Sequence, residues 1–442
     1  MKRFFPLILG VLSLYIPFQG FSEEKADSTD LVAIFNEMLG LSQADQYFDK
    51  LGREHPLLNA STMDYQAIVD SATVVLDIFP NDSYSIKWRS YGRYGVGDYD
   101  GAVKDALKIL CESDEYDVSQ SILNYIETID PALVLRNLRP YVAVYLENPN
   151  PATADECLKS YLNRTAMLES KTGNMKEGYN VVKKAADIKV EDDISSEILQ
   201  STLLILSGYP EMAVELLRPY VGDINNAEYS AVVNYTQALN QTGKKKEAYK
   251  IFDKVLSSKA LDANYKKYAK MNYAIMLAAN GDYKKAIKMF DALIKESDQT
   301  MLLEELENPP FNDLLNEYIL RKGITYIKDG KVKEGRSLVQ LALDNVLQLE
   351  EPIGYEAVAY AYLGEKEKAL EWVDKFEWYG DTNKAAVYAV LGDYDTALSY
   401  LKKALDTYRT APAQLEYDIN FTELRKHPSY QQLIKGFKPA DL

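Results

Sequence analysis

Apolar residues along most of this chain recur at spacings of three and four, the signature of amphipathic helices, and they do so in paired blocks separated by a glycine. The clearest block is Asn264 to Glu296. Tyr273-Ala274-x2-Leu277 is followed by Gly281-Asp282-Tyr283, then Ala286-x3-Phe290 and Leu293-Ile294. Each half reads as a helix and Gly281 as the break between them. One such hairpin cannot bury its own apolar stripe, so it requires copies on both sides.

The chain supplies them. Helices are predicted over Leu31 to Leu51, Thr62 to Phe79 and Ser83 to Tyr94, the second stopped by Pro80-Asn81-Asp82. Residues 113–150, punctuated by Pro131, Pro140, Pro149 and Pro151, are expected to hold at least two helices, and no strand pair is predicted anywhere. A glycine ladder then marks the turns: Gly97, Gly173, Gly208, Gly243, Gly281, Gly330, Gly364 and Gly392, with gaps of 76, 35, 35, 38, 49, 34 and 28. The first gap is about twice 38 and predicts a degenerate unit inside it. The gap of 49 predicts an insertion around Leu302 to Phe311.

Five residues after each glycine stands Ala102, Gly178, Ala213, Ala248, Ala286, Gly335, Ala369 or Ala397. Two helices joined by a tight turn cross closely only where the side chain at the crossing is minimal. Four residues further on, Val182, Leu217, Phe252, Phe290, Val339, Val373 and Leu401 are expected to fill the groove.

Gly323-x2-Tyr326 with Gly330 and Gly335, Ala357-x2-Tyr360 with Gly364 and Ala369, and Ala385-x2-Tyr388 with Gly392 and Ala397 resemble the tetratricopeptide repeat. The resemblance is specific over residues 194–410 and weaker upstream. It departs at the family's Trp-like position, occupied here by Val232, Lys270, Ile319 and Ile353. It implies an all-α, right-handed solenoid of nine or ten stacked hairpins: degenerate repeats over 31–150, an array over 151–410 and a helical cap over 411–442, an end cover more than a site. It also implies non-catalytic binding of a protein or peptide on the concave surface formed by the first helices. Asn234, Gln237, Asn272, Ile275, Arg321, Ile324, Tyr355 and Val358 would line that surface, with Arg321 and Tyr355 as anchors. Some members of the family grip a terminal carboxylate with paired Lys and Asn. Asn234 and Asn272 fall on an Asn position of that grip, but Ile198 and Val233 stand where its first Lys would be.

Other chemistry is sparse. His55 and His427 are the only histidines, too few for a three-ligand metal centre, and no nucleophile elbow, zinc-protease or phosphate-loop motif occurs. The expectation is therefore no enzyme, no cofactor and no metal. Trp372, Phe376, Trp378 and Tyr379 cluster where two repeats join. They fill that join or, alternatively, form an aromatic platform for a glycan or other small ligand. Cys111 and Cys157 are either isolated buried thiols, the commoner case, or a pair in an exported chain.

Fifty basic and sixty-six acidic residues give a net charge of −16, which disfavours nucleic acid. Lys244 to Lys295 runs the other way, with thirteen Lys against five acids, a local +8 that would suit solvation or an acidic partner. Residues 1–22 carry Lys2-Arg3, an apolar run from Phe4 to Phe18 and Gly20-Phe21-Ser22, the parts of an export signal cleaved after Ser22. The run is too short to span a bilayer, for which about twenty residues are needed. The mature chain, with a polar leader over 23–30, is then expected in the periplasm or the medium without an integral span.

Overall fold

In the computed structural model all eight glycines of the ladder adopt φ between +79° and +94°. That left-handed region costs a residue with a side chain about 1–2 kcal/mol. At every one the amide after the glycine reaches back five residues to a carbonyl: Asp282 to Leu277 at 2.8 Å, Lys331 to Tyr326 at 2.9 Å, Asp393 to Tyr388 at 3.0 Å. This closure satisfies the free carbonyls of the first helix and sends the chain back along it. The structure describes residues 65–110, 118–147, 155–191, 193–304, 313–347, 355–375 and 380–442. The chain divides into two compact units, Met1–Ala152 and Thr153–Leu442.

In the first unit the described helices are α1 (Tyr65–Ile78), α2 (Ser83–Gly95), α3 (Tyr99–Lys108), α4 (Val118–Ile129) and α5 (Pro131–Glu147). The degenerate unit is the α4/α5 pair. It turns at Asp130, whose carboxylate accepts from Leu133 N at 2.9 Å, and Pro131 occupies the first position of α5, where its missing N–H costs nothing. Pro140 does not punctuate the chain as expected but lies inside α5. α2 and α3 are tied through the buried Asp105, which accepts from Arg89 at 2.8 Å and from Arg93 at 2.7 Å.

Among its described residues the second unit holds seven hairpins, each a first and a second helix. They are α6 (Glu156–Lys171) with α7 (Met175–Asp187), α8 (Ser195–Leu206) with α9 (Pro210–Leu217), α10 (Tyr229–Gln241) with α11 (Lys245–Ser257), and α12 (Ala263–Ala279) with α13 (Tyr283–Glu304). α14 (Asp313–Lys328) with α15 (Val332–Val346), α16 (Glu356–Leu363) with α17 (Lys366–Lys375), and α18 (Asp381–Leu391) with α19 (Tyr394–Asp406) complete the row. A C-terminal segment follows: α20 (Pro412–Glu416), two 3₁₀ turns at Ile419–Phe421 and Leu424–Lys426, and α21 (Pro428–Lys435). The fold is thus the all-α array of stacked hairpins expected from the repeats, with no strand among the described residues.

Packing explains the small residues. The position five after each glycine is buried in all eight hairpins. The position seven before each glycine is also small or short-chained and buried: Ser90, Ala166, Ser201, Thr236, Ala274, Gly323, Ala357 or Ala385. A Cβ on Gly335 would stand 2.6 Å from the Gly323 carbonyl oxygen, and one on Gly178 2.6 Å from that of Ala166. Ser90 uses the contact to donate its hydroxyl to the Ala102 carbonyl at 2.9 Å. Successive hairpins then stack ring on ring, as where Phe252 of α11 lies parallel to Tyr273 of α12 at 5.1 Å.

The predicted export signal, the 31–51 helix, the 305–311 part of the insertion, Cys111, His55 and the residues Phe376, Trp378 and Tyr379 lie outside the described residues. Cys157 is disulfide-bonded, which corrects the reading of isolated thiols.

Candidate binding surfaces

The predicted surface residues do not share one environment. Ile324 and Val358 are core residues, 5% and 9% exposed; Tyr355 packs half-buried against the same apolar cluster and Ile275 against a second one. Asn234 on α10 reaches α8, donating to Ser201 Oγ at 3.0 Å and Thr202 Oγ1 at 2.9 Å, so its amide joins neighbouring first helices. Gln237, one turn on, is half-exposed.

Asn272 on α12 belongs to an aromatic patch. Its amide donates to the Tyr229 hydroxyl and to the Tyr268 carbonyl, and the Tyr229 ring lies 5.4 Å from Tyr265 and 5.9 Å from Tyr268. Tyr268 is 41% exposed. Burial pushes the Tyr229 and Tyr265 hydroxyls up to about 12. Sequence reasoning found Asn272 and missed Tyr229, Tyr265 and Tyr268. The spacing of three and four that places Tyr265, Tyr268 and Asn272 on one face of α12 was the available signal, whereas Tyr229 comes from α10.

Arg321 on α14 is held by Glu317, with Nε donating to Oε1 at 2.8 Å. Its charge also acts on Asp418, a carboxyl raised by burial and partly lowered by an amide bond from Asn420 and by Arg321 and Arg425. This predicted anchor is engaged by Glu317 on its own helix.

The C-terminal segment does more than cover the last hairpin. Tyr394 of α19 does meet His427, with ring centres 5.5 Å apart. The chain then runs back across the glycine turns of hairpins far upstream. Arg409 donates to the Lys171 carbonyl at 3.3 Å, Lys176 pairs with Asp441 at 2.7 Å, and the Ala440 amide and carbonyl bond Ser207 O at 3.1 Å and the Tyr209 hydroxyl at 2.8 Å. Tyr417 donates to the Asn240 carbonyl, and Tyr362 to Asn420 Oδ1 at 3.0 Å. Phe421, Leu424 and Tyr430 are completely buried, and Ile419 packs against both large apolar clusters of the unit.

The lysine-rich stretch lies mainly on α11 and α13, whose Lys245, Lys246, Lys250, Lys284, Lys285 and Lys288 are exposed. Trp372 packs beside Tyr360 at 6.4 Å with the Lys375 ammonium 5.1 Å from its ring centre. No described helix is long and apolar enough to cross a membrane.

No family model and no curated protein matches the chain. Among solved structures it is similar to the tetratricopeptide domain of P58(IPK), at 14% identity over 79% of this chain and 100% of that one, with a TM-score of 0.21. It is also similar to yeast Tom70, at 16% identity over 92% and 95% with a TM-score of 0.29, and to the Cut9–Hcn1 hetero-tetramer, at 12% over 92% and 91% with 0.25.

Proposed function

We propose that this chain is an exported, non-catalytic scaffold that binds a protein or peptide partner through the first helices of its hairpins. The observation that supports this most is the aromatic and amide patch on α10 and α12. Tyr268 is exposed there beside Tyr229, Tyr265 and Asn272. Tyrosines offer large contact area with few rotors to immobilise, and they are favoured as interface anchors. The exposed lysines of α11 and α13 flank the patch in sequence and suit a partner with acidic groups. Lys2-Arg3 with the apolar run to Phe18 supports export, and a disulfide at Cys157 suits an oxidising compartment.

The test is affinity capture from envelope and medium fractions with the wild-type chain and a Tyr268→Ala/Asn272→Ala double variant, together with N-terminal sequencing of the mature protein. The reading expects an N-terminus at Glu23 and a discrete partner whose yield falls with the variant. Equal recovery by both proteins would count against the surface, and an uncleaved cytoplasmic chain against export.

A further inference from the structure

Three glycine turns, at Gly330, Gly364 and Gly392, meet the C-terminal segment around a cavity of about 220 Å³. Its polar wall holds Lys328 from the end of α14, Arg336 from α15, and Asn420 and Glu423 from the C-terminal segment. Neither Lys328 nor Arg336 makes an ion pair among the described residues. The Lys328 ammonium lies 5.5 Å from the centre of the Tyr362 ring, and the Arg336 Nε donates to the Tyr362 carbonyl at 3.2 Å, which leaves the outer guanidinium nitrogens unused. Asn420 accepts from the Tyr362 hydroxyl at 3.0 Å through Oδ1, and its side-chain amide acts on the Asp418 carboxyl. Glu423 is already bonded to Lys426, at 2.8 and 2.9 Å.

The charges select the ligand. Two cations line the space beside one carboxylate that is itself paired with Lys426, so the site favours an anion. A phosphate would satisfy the cations but leave the apolar side chains of the lining without a partner. The rest of the lining is Ile327, Val332, Val390, Ala361 and Ala389 with Tyr362 and Tyr394. We propose that this cavity binds a monocarboxylate carrying a small branched apolar group, either a free acid or the apolar C-terminal residue of a peptide. Arg336 and Lys328 receive the carboxylate, and Ile327, Val332 and Val390 receive the apolar group. The forked guanidinium suits a planar two-oxygen acceptor. Burial, only partly offset by the charge of Glu423, pushes the Lys328 ammonium below the usual lysine range, a cost that a bound carboxylate relieves. The site lies apart from the first-helix patch and stands or falls independently of it.

Isothermal titration of the mature full-length chain tests this with isovalerate, N-acetyl-leucine, its amide, the free acid of acetyl-alanyl-alanyl-leucine, and inorganic phosphate. The expected result is saturable one-site binding of the free acids, lost with the amide and weaker with phosphate, which leaves the apolar side chains uncovered. Tighter binding of the tripeptide than of N-acetyl-leucine makes the ligand a peptide terminus, and equal or weaker binding makes it a small acid. Lys328→Gln and Arg336→Gln should each weaken binding roughly tenfold or more, the loss of one charge-assisted hydrogen bond. Glu423→Gln should tighten it, a change of opposite sign that structural damage would not produce. The proposal is overturned if no acid binds saturably, if amide or phosphate binds as well as the acids, or if variants with wild-type thermal melting leave binding unchanged.

Discussion

Tyr417 donates its hydroxyl to the backbone carbonyl of Asn240, 177 positions earlier, and the Lys245 ammonium stands 5.7 Å from the centre of the same ring. The end of the chain is thereby fastened to a turn in the middle of the array. Tyr417→Phe removes one buried bond and should lower stability by about 1 kcal/mol. Phe421→Ala, at a fully buried position of the same segment, should cost about 3–5 kcal/mol. Urea unfolding of the two variants separates the fastening bond from the packing beneath it.

At the crossing within the α12/α13 hairpin, Ala286 and Phe290 are 0% and 1% exposed. Ala286→Leu should overpack it at about 1–3 kcal/mol, and Phe290→Ala should leave a cavity at about 3–5 kcal/mol. Gly335→Ala should also destabilise, because its new methyl meets the Gly323 carbonyl oxygen at 2.6 Å and backbone cannot swing aside. Thermal unfolding unchanged in all three would contradict the crossing.

Gly281 isolates backbone conformation from packing, since a Cβ there would touch nothing within 4 Å although φ is +84°. Gly281→Ala should therefore cost about 1–2 kcal/mol with no crowding. Equilibrium unfolding that shows no loss would mean that the turn relaxes.

Burial raises Tyr229, Tyr265, Tyr273 and Tyr318 to about 12 in the folded chain, above the ordinary tyrosine value of 10.0. A raised folded value favours the protonated form, so the stabilisation is complete below pH about 10 and is lost as pH rises towards 12. Near-ultraviolet titration should show these hydroxyls ionising late, followed by a steep rise on unfolding. A curve that superposes on free tyrosine would refute their burial.

The glycine ladder was legible because only glycine occupies the left-handed turn cheaply, and the alanines because close helices admit almost nothing else. Gly97 to Gly392 name the turns, and Ala102 to Ala397 the crossings. Pro140 was misread because a proline within a helix has the same local signature as one that ends it. The return of the C-terminal segment was not legible. Its fastenings join side chains such as Tyr417, Tyr209 and Arg409 to backbone groups up to 238 residues away, and no local period encodes them. The same holds for the cavity, where Lys328, Arg336 and Asn420 come from separate elements. On the first helices the sequence pointed to Asn272, whereas the tyrosines that surround it converge only when α10 and α12 stack.

Site-specific photocrosslinking in intact cells tests the binding role most directly. A photoreactive residue placed at Tyr268, on the aromatic patch, is compared with one at Leu341 of α15, which is 48% exposed and away from the first helices. Capture of a discrete protein partner from position 268 and not from position 341 is the predicted result. No adduct at position 268, or the same products from both positions, would contradict binding through the first helices.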